Sequence, residues 1–252
     1  MRAGVIPVCE ACVGRVPRQS AVHGMALCDC CGEALDMDGA RFAGRGVSAV
    51  RGLSEGLLCA PCRMVAPDFA RAVAYGVYED ELREMVHLLK YERMREVAGL
   101  LGPMLAEAIL TLEGAAAREM VVVAVPLFPA KQKQRGYNQA VLLADAALGL
   151  LRKARPAWKL QAQHDALRRV RDTESQFALT PTGRRRNLRG AFAVAKDAAL
   201  VGREVLLLDD IYTTGATARE CARVLRRAGA AKVWVATVSR AQKEFVEFWD
   251  ER

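Results

Sequence analysis

Beyond about residue 63 the chain switches repeatedly between strand-like and helix-like hydrophobic patterns, and before that point neither lasts. Residues 72–78 read as a short strand. In 79–91, Leu82, Met85, Val86 and Leu89 recur at helical spacing and give the segment one apolar face. A second amphipathic helix is expected over 95–112. Residues 120–125 are an unbroken valine-rich run closed by Pro126, the pattern of a strand buried on both faces. The loop after it is long and basic. A helix follows over 138–151, and a strand is placed around 158–160. Residues 166–190 hold many arginines and few large apolar side chains, which predicts an exposed, mobile loop. A buried strand at 205–208, a helix at 216–227 stopped by Gly229 and a strand at 232–238 complete the pattern.

Strand, helix, strand in succession demands a crossover connection. The pattern therefore predicts an α/β domain built on a parallel sheet, with ligands outside the carboxyl ends of its strands. The early residues carry cysteine, glycine and little periodicity, as expected of a small module that cannot fold without a metal. The expected division is 1–66 for the module and 67–252 for the domain. No apolar run reaches the roughly 18–20 residues of a membrane helix, and the longest, 120–128, contains Pro126. No membrane insertion is expected. The first residues lack a charged stretch followed by a long apolar one, so no secretory signal is read and the cytoplasm is the expected location.

A formal charge of +8 leans towards an anionic partner, because positive surface concentrates polyanions, although solvated arginines explain it equally well. Six of the eight cysteines form three C-x-x-C pairs: Cys9 and Cys12, Cys28 and Cys31, Cys59 and Cys62. In a reducing compartment such pairs hold zinc more often than they form disulfides. Cys30 and Cys221 are read as non-ligands. A structural zinc takes four ligands, so six paired cysteines overfill one site and underfill two.

The most informative stretch is VLLLDDIYTTGAT, residues 205–217. Four apolar residues bury a strand. Asp209 and Asp210 then emerge at its carboxyl end, followed by a small-residue turn into a helix. Ionised carboxylates accept strongly from the vicinal hydroxyls of a ribose. Backbone N–H groups from Thr213 to Thr217 would face an anion at the helix N-terminus, and Gly215 lets the backbone close in. A magnesium-holding ATPase strand also ends in acids, but no G-x-x-x-x-G-K-[ST] loop occurs, and a dinucleotide site lacks its G-x-G-x-x-G.

This stretch resembles the phosphoribosyl-pyrophosphate motif of type I phosphoribosyltransferases. The resemblance implies that family's fold and a 5-phosphoribosyl site at Asp209, Asp210, Ile211, Tyr212, Thr213, Thr214, Gly215, Ala216 and Thr217. A narrower resemblance covers nearly the whole chain: VPLFPAKQKQRGYNQA, LRRVRDTESQFALT, RRRNLRGAF and VAYGVYEDELREMVHLLKY are similar, in order and spacing, to segments of ComF proteins. Those proteins are linked to DNA uptake in natural transformation, and their relatives to the use of DNA as a nutrient.

The resemblance implies further roles. Residues 126–139 stand where the enzymes receive pyrophosphate, with Lys131, Lys133 and Arg135 supplying charge, Gly136 freedom, and Asn138 and Gln139 either anion contacts or a helix cap. The second basic stretch resembles the hood loop that closes over substrate, with Arg169, Arg171, Thr173, Gln176, Arg184, Arg185 and Asn187 as candidates. The same arginines fit a nucleic-acid backbone equally well. His87 and Lys90 end a helix that would help build the acceptor side. ComF relatives often carry a double zinc ribbon; the complete ribbon here would be Cys28, Cys31, Cys59 and Cys62. Cys9 and Cys12 would be the remnant of another, or a sign that translation starts upstream. The competing set is Cys9, Cys12, Cys28 and Cys31.

The implied function is that of a phosphoribosyltransferase binding phosphoribosyl-pyrophosphate, with Mg²⁺ carried on the diphosphate and structural zinc. It would serve DNA uptake or nucleotide salvage. The alternative is a non-catalytic single-stranded DNA-binding competence factor working with DNA-uptake proteins. A third possibility is a regulator that reads the ligand without turnover.

Overall fold

A computed structural model of the chain describes residues 6–19, 26–35, 56–173 and 181–242. The strands are β1 (Ala26–Leu27), β2 (Ala34–Leu35), β3 (Arg71–Val77), β4 (Glu119–Ala124), β5 (Lys159–Ala162), β6 (Leu167–Arg169), β7 (Phe192–Val194), β8 (Glu204–Tyr212) and β9 (Lys232–Arg240). The helices are α1 (Glu10–Arg15), α2 (Ala60–Met64), α3 (Asp80–Lys90), α4 (Ala98–Leu110), α5 (Pro129–Arg135), α6 (Gln139–Ala154), α7 (Pro181–Leu188) and α8 (Ala216–Arg227).

Five strands pair in the order β3-β9-β8-β4-β5, and every pairing is parallel. Both faces are covered, as the unbroken apolar runs require. On one face Met120, Val122, Leu206, Leu208, Trp234 and Ala236 pack with α3, α4 and α6. On the other, Val121, Val123, Val205, Leu207, Val233 and Val235 pack with α8 and with the cysteine-bearing segments. The expected α/β architecture is what the chain adopts. Among the described residues no helix is long and apolar enough to cross a membrane.

The strand order decides where a ligand can sit. From β4 the chain runs through α6 to β5 on one side, and from β8 through α8 to β9 on the other. Those crossovers diverge, so the carboxyl ends of β4 and β8 flank a crevice that neither of the two covers. Open α/β sheets bind ligands at this switch point.

Three local expectations need correction. The segment after β4 is not a plain loop: Pro129 sits in the first turn of α5 and Gly136, with φ +85°, ends it. Residues 166–190 are not one mobile loop either. Leu167 and Leu188 are fully buried, β6 pairs antiparallel with β7, and α7 carries the three arginines. Two buried leucines anchor a stretch whose average composition is polar. Finally, β8 runs four residues past Leu208 to Tyr212, because its partner β9 continues to Arg240.

The cysteine module joins the same core. Cys28, Cys30, Cys31, Cys59 and Cys62 are buried together with Phe69, Ala72 and Tyr212. The Cys30 carbonyl accepts from the Ala72 amide at 2.7 Å, tying the module to β3. A tight turn between β1 and β2 holds the second pair, with the Gly32 amide donating to the Cys28 carbonyl at 2.7 Å.

Candidate functional site

Residues 213–215 connect β8 to α8, and Gly215 is the N-cap of that helix with φ +72°. Two constraints require glycine there. An L side chain strains at that φ, and a Cβ would run into the Tyr212 ring and its hydroxyl. The backbone amides of Thr213, Thr214 and Gly215 have no acceptor among the described residues. The first amides of α8 lack intrahelical partners by the nature of a helix start. The Thr214 hydroxyl oxygen is buried with no hydrogen-bond partner. A row of donors at a helix N-terminus, with an unsatisfied hydroxyl beside it, suits an anion.

Because β8 continues through the acids, its side chains alternate between faces. Asp210 joins the face of Leu206 and Leu208, where it is 2% exposed and pairs with Lys90 Nζ at 2.8 Å; its second oxygen is buried without a partner. Asp209 takes the other face and lines a cleft with Thr213, Gly215, Thr217 and Thr237. Its Oδ1 accepts from the Asp210 amide at 2.9 Å. Burial, and then the Asp210 charge, push its carboxyl up to about 7, against the opposing pull of Lys90 and Arg169. The two acids therefore face opposite sides of the sheet. Ile211 is half-buried and Ala216 buried.

The two basic segments meet beside this crevice. Lys131 on α5 donates to the Thr173 carbonyl at 3.4 Å and stands 3.9 Å from Asp172. Arg169 bonds the Thr173 hydroxyl and lies over the Phe192 ring at 5.5 Å; burial lowers its pKa. Arg171 is committed to the carbonyls of Asn187 (2.6 Å) and Arg189 (2.9 Å). Arg135 bonds Gln139 and lies 5.8 Å over the Tyr91 ring, while Lys133 is exposed. Asn138 caps α6: its Oδ1 accepts from the Ala140 amide at 2.9 Å, and its Nδ2 donates to the Val125 carbonyl at 3.0 Å. That pins the start of α6 to the end of β4. Gln176 lies outside the described residues, as do the side chains of Arg184 and Arg185. His87 is exposed against Tyr91, and Lys90 pairs with Asp210.

Of the six paired cysteines, the structure gathers Cys28, Cys31, Cys59 and Cys62, whose sulfurs all lie within 4.8 Å of one another. Cys31 and Cys59 Sγ are 3.6 Å apart. A tetrahedral zinc with bonds of about 2.3 Å sets sulfurs about 3.8 Å apart, so the four could hold such an ion. Cys9 and Cys12 stand apart from this group. They are 3.4 Å from each other, Cys9 is exposed, and their turn has the same form as that of Cys59 and Cys62, a cysteine N-cap opening a short helix. The structure thus gathers the preferred set of four and not the competing set of Cys9, Cys12, Cys28 and Cys31.

Two arginines that the sequence did not single out link the cysteines to the turn. Arg219 on α8 points Nη2 at Cys62 Sγ (3.6 Å) and bonds the Val65 carbonyl (2.8 Å). Arg240, 2% exposed at the end of β9, bonds the Cys31 carbonyl and Glu33, and lies 4.4 Å over the Tyr212 ring. Such outer-shell donors orient and stabilise thiolates. In sequence, the only signal was a charged residue closing a buried apolar strand.

No family model matches the chain. It is 31% identical over 217 residues to the DNA utilization protein YhgH of Escherichia coli O157:H7, covering 85% of this chain and 90% of that protein. It is 29% identical over 187 residues to competence protein F of Haemophilus influenzae, covering 73% and 78%. Among solved structures, a hypoxanthine phosphoribosyltransferase from Staphylococcus aureus is similar with TM-score 0.33 and 14% identity, over 62% of this chain and 69% of that one.

Proposed function

Because the chain belongs to the ComF family of DNA-utilization and competence proteins, we propose that it binds phosphoribosyl-pyrophosphate, or another phosphorylated ribose, and acts as a phosphoribosyltransferase in the use of incoming DNA. The observation that carries this reading is the turn after β8, where unpaired amides and the unpartnered Thr214 hydroxyl lie next to two carboxylates at the switch point.

The 5-phosphate takes the amides of residues 213–217. Asp209, opening into the cleft, accepts from a ribose hydroxyl, and Asp210 with Lys90 sets the charge behind it. A nucleophile forms a bond to the anomeric carbon as the carbon–oxygen bond to pyrophosphate breaks, and the electron pair leaves with pyrophosphate. Lys131, Lys133 and Arg169 sit where charge builds on that leaving group, so positioning and electrostatics are the protein's contribution. Magnesium bound to the diphosphate would neutralise part of its charge. In the 1–66 module, Cys28, Cys31, Cys59 and Cys62 would hold a structural zinc, and cysteines kept out of disulfides suit the cytoplasm.

One observation favours a second reading, a non-catalytic single-stranded DNA binder. Arg171 is tied down by two carbonyls instead of being poised to close, while Arg186 and Arg189 stay exposed as a track for phosphates. Pyrophosphate release from phosphoribosyl-pyrophosphate and Mg²⁺ across a panel of bases separates the two. Turnover abolished by Asp209→Asn with Asp210→Asn supports the enzyme. Tight binding of single-stranded DNA with no release for any base would replace it with the binder.

A further inference from the structure

A structural zinc takes four ligands, yet five thiols are buried together in the module. Cys30 is 5% exposed and shares one core cluster with Cys28, Cys31, Cys59 and Cys62. Its backbone is fixed, because its carbonyl accepts from the Ala72 amide at 2.7 Å and the neighbouring Asp29 amide donates to the Leu57 carbonyl at 2.8 Å. Its side chain partners that of Cys62. Cys30 does not belong to the four whose sulfurs lie within 4.8 Å of one another. It is the one thiol of the five that a bound ion leaves free.

Cys62 is the ligand best placed to react. It lines a cavity of ≈ 1420 Å³, counting the open mouth, so a small oxidant can reach it although the residue is 1% exposed. Arg219 points Nη2 at its sulfur from 3.6 Å and is held there by the Val65 carbonyl at 2.8 Å. A guanidinium beside a sulfur stabilises negative charge on it and on the oxygen leaving a peroxide, the environment in which cysteines react. Cys31 also faces a guanidinium, at 3.7 Å, but Arg240 there is already paired with Glu33. Cys59 lines the cavity with neither arginine directed at its sulfur.

We propose that Cys30 and Cys62 form a peroxide-sensitive thiol pair whose oxidation unloads the metal from the module. The Cys62 sulfur takes one oxygen from hydrogen peroxide and becomes a sulfenic acid as hydroxide leaves. The Cys30 thiol then attacks that sulfur; the sulfur–sulfur bond forms while the sulfur–oxygen bond breaks, and the hydroxyl departs as water with the Cys30 proton. Two thiols are oxidised and one peroxide is reduced. With Cys62 oxidised, three ligands remain, too few to close a structural site, and Arg219 in the first turn of α8 loses its sulfur partner. The metal half of this inference rests on the zinc reading proposed above. The thiol pair rests on the geometry alone.

The test treats the full-length, zinc-loaded protein with hydrogen peroxide, follows released zinc with a metallochromic chelator, and maps disulfides by peptide mass spectrometry after free thiols are blocked. The expected product is a Cys30–Cys62 disulfide that forms as zinc is released and that dithiothreitol reverses, with zinc rebinding. Cys30→Ser should load zinc as the parent does and release it about tenfold more slowly under peroxide, because no thiol resolves the sulfenic acid. Met64→Leu, which removes the exposed methionine at the cavity mouth, should leave the rate unchanged. A Cys30→Ser protein that loads no zinc makes Cys30 a ligand and overturns the inference. So does a disulfide joining Cys62 to Cys59 or Cys31 with Cys30 left reduced, or zinc loss from Cys30→Ser as fast as from the parent. Protein that carries no zinc yet forms the Cys30–Cys62 disulfide keeps the thiol pair and removes the metal reading instead.

Discussion

Replacing Lys90 with methionine removes the one ammonium paired with a carboxylate that is 2% exposed. At an effective dielectric of about 20, charges 2.8 Å apart attract by roughly 6 kcal/mol before desolvation is counted. Stranding one member of a buried pair typically costs about 3–5 kcal/mol, and the lower end applies here because Lys90 keeps 15% of its side chain in water. For a chain of this size, about 3 kcal/mol corresponds to a fall in Tm of roughly 6–12 °C. The loss must also depend on pH. Lys90 is one of the charges holding the Asp209 carboxyl down to about 7, so its removal raises that group further above its unfolded value. An acid with a raised folded pKa leaves stability intact below the unfolded value and forfeits it as pH climbs through the folded one. The penalty of Lys90→Met should therefore be largest near pH 8 and fade towards pH 5, and Lys90→Arg should recover most of it. Urea unfolding at both pH values reads this directly. An equal penalty at pH 5 and pH 8, or none at pH 8, would refute the idea that a buried charge pair organises these acids.

Other consequences are open to measurement. Cys59→Ser with Cys62→Ser should cost one equivalent of zinc by elemental analysis, whereas Cys9→Ser with Cys12→Ser should keep it; the reverse result would reassign the site. Gly215→Ala should cost about 1–2 kcal/mol from its left-handed conformation alone, and should reduce ribose 5-phosphate affinity more than tenfold by displacing Tyr212 from the turn, as read by calorimetry. Ribose 5-phosphate affinity should rise from pH 6 to pH 8 as Asp209 ionises near about 7; Asp209→Asn should abolish that inflection and leave only the one due to the ligand phosphate near about 6.

Most of the fold could be read from the chain. Valine-rich runs and single-faced helices mark β4, β8, α3 and α8 within a few residues, because a doubly buried strand and an amphipathic helix each impose a period on their own side chains. The turn at 213–217 was legible for the same local reason: Gly215 occupies a conformation and a space that only glycine tolerates. The segment 166–190 departs from the expected mobile loop because β6 and α7, with β7 just beyond them, are held by a few buried contacts, such as Leu188, set in a polar background.

What the chain alone determined is thus most strands of the main sheet, the helices that cover it, and the acidic and small residues that end β8. What only the tertiary structure decided is who meets whom. Strand order is invisible in sequence, yet it places the crevice between β4 and β8 and brings Lys131 to Thr173. The extra length of β8 sends Asp209 and Asp210 to opposite faces, and Lys90, 120 positions from Asp210 in the chain (210 minus 90), becomes its counter-ion. Four of six equivalent thiols are selected by where β1, β2 and α2 fold back onto β3 and β9, with Arg219 and Arg240 beside them. These are long-range contacts, set by packing energy distributed over the whole core, so no window of sequence contains them.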